Sequence, residues 1–565
     1  MIRQHQPTGE RALLSGLVLV VSLMSALPLL RLLIEGFNVA GGVSLAPLRH
    51  AFDDPATWIA TRNSLETALG GTVIAVVLGT VVALLMALTD FRGRNAFVFC
   101  FVVPLMIAPQ VAALAWLQVT GPASPLLKLV GIAPPIGARN PLYSREGIIL
   151  LLGLHYAPLV FLTVRAGLRQ LPRELVEAAL ASGAGRWLVL RSIVLPLMTP
   201  ALVAGTAIAF VSCIGNFGIA AFLGIPGKYL VLPTLIYQRL ASLGPSVLSE
   251  VAVLSLLVGV LAVTGLVLQD ALVRRRDFRV ATASLTARPF ALGRWRFAIE
   301  GVAWGFTIAI LAVPLLGLIA MSLVPAHGVP LNAGTATLAN YAYVVGEHAA
   351  TRRALVNSLS LASGAAALLI LIAIPIGYVL VWGRSRWLRL LSLAAELPYA
   401  LPGVVLAIAL ILLLLKPIPI FGISPYNTVW IILIAYLARF LVLGLRPIVS
   451  GFQQIDRALE EAAQVSGAGL TRRLAQILAP MVAPAAAAGA LLIFITAFNE
   501  LTVSALLWSS GAETLGVVVF SFEQAGDSNY AAALAVLTIG LTVSLMITTV
   551  SFARRLPEGV LPWHD

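Results

Sequence analysis

Charge is scarce in this chain: Asp, Glu, Lys and Arg make up 11% of 565 residues, against 59% apolar. Soluble globular domains carry about a quarter charged residues, so a water-soluble globule is excluded. Lysine is rarer still, with Lys128, Lys228 and Lys416 the only three. A phosphate-cradling P-loop needs Gly-Lys followed by Ser or Thr: backbone amides and the ammonium hold phosphate while the hydroxyl holds magnesium. Gly227-Lys228 runs on into Tyr229, and the other two lysines follow leucines, which excludes nucleotide hydrolysis of that kind. The two cysteines, Cys100 and Cys213, both lie in apolar runs, where a small buried thiol is the ordinary reading and a disulfide framework is not. No Asp/Glu/Tyr cluster with ligand spacing and no facing nucleophile and base stand out, so no metal ligand, cofactor or catalytic residue is assigned.

What the chain has in abundance is apolar length. Runs of 18 or more residues recur throughout, each able to cross about 30 Å of hydrocarbon as a helix. Without strand alternation, backbone groups in lipid are satisfied only within helices. The reading is an all-α membrane protein of about twelve spans, at 11–35, 62–89, 96–119, 147–168, 200–224, 248–272, 299–323, 354–382, 389–415, 428–450, 483–508 and 530–553. The first run has an Arg-bearing start and no clear small-residue cleavage site, so a retained helix is expected. The net charge of +13 would suit a nucleic-acid binder if it formed a patch. Instead most of the Arg residues, among them Arg92, Arg94, Arg173, Arg186, Arg384, Arg386, Arg472 and Arg473, fall in alternate loops. The positive-inside rule places those loops and both termini in the cytoplasm and leaves no call for nucleic acid.

The chain also repeats itself. Gly167 to Pro196 reads GLRQLPRELVEAALASGAGRWLVLRSIVLP, and 284 positions later Gly451 to Pro480 reads GFQQIDRALEEAAQVSGAGLTRRLAQILAP. Asn63-Ser64-Leu65 and Asn357-Ser358-Leu359 open equivalent spans, and the proline-punctuated segments VVPLMIAPQV and ELPYALPGVV follow. Six spans per half make the repeats parallel, related by an axis along the membrane normal. The expected division is a first repeat over 1–273, a basic cytoplasmic linker over 274–298 and a second repeat over 299–565.

Each repeated island is polar in an otherwise apolar chain. Leu171, Leu175 and Ala179 are spaced four and four, as are Ile455, Leu459 and Ala463, which predicts a short amphipathic helix on which Ala178 and Ala179 offer close approach to a partner and Glu177 a charge for its Arg or Lys. Pro172 and Asp456 suit its start, and Gly183 and Gly467 its left-handed stop. A second stretch then runs to Pro196 or Pro480. Two like islands fit a partner with two like sites.

The pattern Glu-Ala-Ala, three residues, Gly, then a proline thirteen residues on resembles the coupling loop of ABC-importer permeases. Glu177, Ala178, Ala179, Gly183 and Pro196 match it within a loop over about 167–199. Glu461, Ala462, Ala463, Gly467 and Pro480 match it again within about 451–483. The fused layout of the whole chain resembles the ferric-iron and thiamine importer permeases. That resemblance implies a multi-pass protein of the bacterial inner membrane, two copies of a cytoplasmic ABC ATPase gripping the islands, and an extracytoplasmic binding protein delivering substrate. It implies ferric iron first among substrates, then thiamine, phosphonate or polyamine. The segments near 36–61, 120–146 and 324–353 are too short for a substrate-capture domain of their own, in keeping with a separate binding protein. An ion-coupled secondary transporter is the alternative class, but it would need titratable groups at mid-membrane, in which the chain is poor.

Polar residues inside spans are costly and mark pathways more often than chance would. His155, Asn216, Arg439, Asn499 and Glu500 are the candidates. Asn216 and Glu500 each lie twenty residues beyond the island proline, so they are equivalent, and with Asn499 they are the expected pathway residues.

Overall fold

The computed structural model describes residues 8–39, 42–135, 137–169, 171–242, 246–274, 290–383, 387–417 and 422–553. Nearly all of them are helical, as backbone immersed in lipid requires. The one strand ladder among them pairs Asn38–Val39 with Gly42–Val43. In the first half we name α1 (Thr8–Gly36), α2 (Pro55–Leu88), α3 (Arg94–Met106), α4 (Pro109–Thr120), α5 (Arg145–Leu168), α6 (Arg173–Ala181), α7 (Thr199–Ile214), α8 (Gly218–Gly227), α9 (Leu232–Leu240) and α10 (Val247–Arg274). The second half repeats the order with α11 (Arg296–Ser322), α12 (Ala349–Trp382), α13 (Leu388–Ala400), α14 (Gly403–Leu414), α15 (Val429–Gln453), α16 (Arg457–Val465), α17 (Ala479–Phe498), α18 (Ser504–Leu507), α19 (Leu515–Ala525) and α20 (Ser528–Ala553).

Among the described residues, nine helices are long and apolar enough to cross a membrane, and four further pairs qualify together but are bent. The expected third and ninth spans are two of these. They break by 99° between α3 and α4 and by 106° between α13 and α14. The cause is proline at the break: the residue before it is pushed out of the helical region. Ala108, before Pro109, has ψ 134°, and Leu401, before Pro402, has ψ 147°. The expected fifth and eleventh spans also need correction. They end at Ile214 and Phe498 rather than at 224 and 508. Beyond them the chain turns back. α8 and α9, of ten and nine residues and bent by 77°, are each too short to cross about 30 Å and form a re-entrant hairpin. α18 and α19 are its counterpart. Most of the basic segment expected as a linker, 275–289, lies outside the described residues.

Within each half, the second, fourth and fifth spans pack as a trio: α2, α5 and α7, then α12, α15 and α17. Lipid gives helices no hydrophobic drive to associate, so close approach through small residues takes its place. A Cβ on Gly79 would stand 2.6 Å from the Ala157 carbonyl oxygen of α5, and one on Gly489 would stand 3.0 Å from the Gly444 Cα. G79A is therefore expected to push α2 off α5 and to cost at least about 2 kcal/mol, as overpacked sites do, measured as a lowered Tm of the purified chain.

The first helix of each half packs across the other. α1 lies on α10 of its own half but also on α13 and α14, and α11 lies on α20 but also on α3 and α4. The Arg31 Nε of α1 donates to the Leu412 carbonyl of α14 at 3.3 Å. The outward faces stay apolar and exposed, as at Leu19, Val73, Val77, Val81 and Leu371, which suits a surface solvated by acyl chains.

Candidate functional site

The two islands share a backbone path and stop in the same hydrogen bonds, though they begin differently. α6 follows Pro172, whose fixed φ suits a helix entry; α16 follows Asp456, whose Oδ1 accepts from the Ala458 N–H at 2.9 Å. Both helices stop in a Schellman turn. Ala184 N–H donates to the Ala179 carbonyl and Gly183 N–H to that of Leu180; Ala468 and Gly467 do the same to Ala463 and Gln464, all at 3.0 Å. Gly183 and Gly467 take φ of 83° and 81° there, with open space around them. Each chain then enters a short helix that widens into a π turn, at Leu190–Val194 and Leu474–Leu478, just before Pro196 or Pro480. Proline has no N–H and its ring crowds the carbonyl four residues back, so the wider turn relieves the clash.

Glu177 and Glu461 are exposed on these helices, with Ala178 and Ala462 beside them, while Ala179 and Ala463 are half-buried. The four-and-four apolar row does not mark the buried face of these helices. Leu175 and Leu459 point outward, and the buried positions are Val176 in α6 and Glu460 in α16. At the helix end Leu180 is half-buried while its equivalent, Gln464, is exposed.

The pathway candidates gather where the halves meet. Asn216 and Glu500 are both buried, and both lie in the turn after the fifth span rather than within it. Each caps the helix that follows. Asn216 Oδ1 accepts from the Ile219 N–H at 2.8 Å, while its Nδ2 donates to Tyr156 Oη at 2.8 Å. Glu500 accepts from the N–H groups of Val503 at 2.7 Å and Ser504 at 3.1 Å, and its Oε1 lies 3.7 Å from Arg439 Nη1. His155 and Arg439 are themselves 284 positions apart, so each half places one basic side chain on its fourth span near this turn. Arg439 fits because residue 403 is Gly: a Cβ there would stand 1.6 Å from its Nη1. Asn499 reaches across the seam, donating from Nδ2 to the Met106 carbonyl at 3.4 Å, and its own carbonyl accepts from Gln110 Nε2 at 3.2 Å. Met106 and Gln110 flank the break in the other half's third span.

Two features of the site were not assigned from sequence. The repeated Asn-Ser-Leu motif latches the re-entrant segments. Ser64 Oγ accepts from the Leu232 N–H at 2.7 Å and Ser358 Oγ from the Leu515 N–H at 2.9 Å. Asn63 Nδ2 donates to the Leu230 carbonyl, and Asn357 Nδ2 to those of Gly511 and Glu513. The recurrence was visible, but not its target. The second feature is aromatic: Phe520 of α19 is ringed by Phe217, Phe222 and Tyr237 of the first half, with centroids 5.4–5.8 Å away. S358A should remove about 1 kcal/mol, the net worth of one hydrogen bond, and speed amide exchange at Leu515 before other sites respond.

Glu513 tightens the second latch by pairing with Arg353 at 3.1 Å. Burial pushes its carboxyl up, but the Arg353 guanidinium and the Gly511 N–H outweigh that and hold it below the usual carboxylate range. A carboxyl whose folded value is depressed contributes stability above its unfolded value and loses it as pH falls through the folded one. The Tm difference between the native chain and E513Q is thus expected to be constant from about pH 6 to 8 and to shrink below about pH 4.5.

Among the described residues no group of three His, Cys, Asp or Glu could hold a metal ion. The arrangement offers two like polar knobs at one end of a helical bundle and a sparse polar seam between its halves. The chain belongs to the family of binding-protein-dependent transport system inner membrane components, whose model matches residues 59–278 and again 369–558. It is thus a multi-pass ABC transporter permease carrying the family's domain twice. Its relatives include a probable ABC transporter permease protein, y4fN, of Sinorhizobium fredii, 28% identical over 83% of this chain and 82% of that protein. The Fe(3+)-transport system permease protein FbpB 2 of Haemophilus influenzae is 24% identical over 92% of this chain and 94% of its own. A putative 2-aminoethylphosphonate transport system permease protein of Salmonella choleraesuis is 27% identical over 39% of this chain.

Proposed function

We propose that this chain forms the translocation path of an ATP-driven importer and takes its energy from separate cytoplasmic ATPase subunits, one docked on each island. The carrying observation is the likeness of the two islands in Schellman turn and π turn, each leading directly into a fifth span. In this reading Glu177, Ala178, Ala179, Gly183 and Pro196, with Glu461, Ala462, Ala463, Gly467 and Pro480, receive the motor. Both termini and the 274–298 linker, between repeats over 1–273 and 299–565, lie on the motor's side. Asn216, Asn499 and Glu500 flank the path, and an extracytoplasmic binding protein brings the cargo. Ferric iron is the substrate we favour, supported by the near full-length similarity to a ferric permease.

The test is ATP hydrolysis by the complex in proteoliposomes, supplied in turn with binding protein loaded with ferric ion, thiamine, a phosphonate or a polyamine. Stimulation by the ferric form alone is expected, and stimulation by another form in its place overturns the substrate. Uptake that survives ATP removal and stops on collapse of ion gradients overturns the class.

A further inference from the structure

The islands share a backbone but not an interior. Position 176 is Val in the first copy and its equivalent, Glu460, is a carboxylate in the second; Val189 corresponds to Arg473 in the same way. The second spans follow suit, with Leu84 where the second half has Tyr378. In the first half these residues belong to one apolar cluster, Val176 and Val189 buried and Leu84 packed against it. In the second half Glu460 is 5% exposed and Arg473 3% exposed, and they form an ion pair. Tyr378 Oη donates to the same Glu460 Oε1 at 3.3 Å. Its ring meets Trp382 edge-on at 5.6 Å, and Trp382 meets Phe452 at 5.4 Å.

We propose that Tyr378, Glu460 and Arg473 are positioning residues that clamp the second island to the membrane domain, where their equivalents in the first half, Leu84, Val176 and Val189, are apolar. The proposal rests on the reading that the islands receive the motor. The three side chains belong to three different elements: α12, the island helix α16, and the segment that rises through the π turn into α17. Ionic hydrogen bonds are directional and a buried charge tolerates no unpaired state, whereas apolar side chains slide against one another at little cost. Movement of α16 therefore drags α12 and α17 with it. Movement of α6 reaches α2 through Val176, Val189 and Leu84, a contact that can shear. One half answers the motor rigidly and the other with slack.

Hydrogen exchange of the full chain, assembled with its ATPase subunits, tests this with and without ATP. In the native complex ATP should alter exchange in α16 and, by about fivefold or more, at the end of α12 around Tyr378, with a smaller change in α2 around Leu84. E460V alone takes the carboxylate from beside the buried Arg473 guanidinium and is expected to misfold in part. E460V/R473V installs the pair that the first half already packs, so it should fold and dock. In it, α16 should still respond to ATP while the α12 response falls to that of α2. Y378F, which keeps the ring and removes one hydrogen bond, should fall between. An α12 response unchanged in E460V/R473V, or equal responses of α12 and α2 in the native complex, overturns the clamp. Silence of both islands toward ATP overturns the docking reading that the clamp presupposes.

Discussion

Reversing both island carboxylates, E177R with E461R, is expected to bring substrate-stimulated ATP hydrolysis down to the unstimulated rate and to stop uptake, while the chain still folds and inserts. Both side chains are exposed, and neither helix depends on them for its caps or its buried face. Glu461 makes one exposed i,i+4 pair, with Arg457 at 3.0 Å, and such a pair is worth under about 1 kcal/mol. Loss of the Glu461 pair thus costs the folded chain little. A docked partner loses much more, since truncating one member of a desolvated interfacial charge pair costs about 2–5 kcal/mol, here at two sites. Co-purification with the ATPase separates lost docking from lost transmission. Normal uptake by the double variant would show that force does not enter through these islands.

The second large effect is expected at Glu500. Replacing it with leucine removes the acceptor for the Val503 and Ser504 N–H groups and the nearest counter-charge of Arg439. A fully buried charge left without its partner costs about 3–5 kcal/mol; Arg439 is only partly buried, but two backbone N–H groups lose their acceptor as well, so E500L should lower the Tm sharply and eliminate transport. The first half supplies its own control. E500N/R439H installs the residues of Asn216 and His155, where an amide caps Ile219 with no carboxylate present. That double variant is expected to recover most of the stability. If transport stays lost in the refolded pair, charge at this seam serves the passage of substrate; if transport returns with stability, the pair is architectural. An E500L chain within about 1 kcal/mol of the native one, as ordinary surface changes are, would refute the burial argument itself.

The islands were legible because exposed helix ends need particular residues: a left-handed stop asks for glycine, and Gly183 and Gly467 stood out in a polar stretch. The equivalence of Asn216 and Glu500 was legible from spacing alone. The breaks in the third spans were half legible. Prolines marked them, but a proline within an apolar run reads equally as a kink. The re-entrant hairpins stayed hidden, since two limbs of about ten apolar residues merge with the preceding span in any window wide enough to find a span. Glu460 was hidden for the opposite reason. Beside Glu461 in a polar island it reads as one more solvated charge, and only Arg473, thirteen residues on, and Tyr378, from another span, show that it faces inward. The exchange of first helices left no trace, because a uniformly apolar helix carries no record of which neighbour it chooses.

That exchange has a consequence for the chain as a single polypeptide. With α1 hooked over α13 and α14, and α11 hooked over α3 and α4, each half holds an arm of the other as two clasped hands do. Two fragments cut between the halves are therefore expected to co-purify, and the covalent link is then not the sole bond between them. It ensures instead that the correct two halves are born in equal number and find each other first.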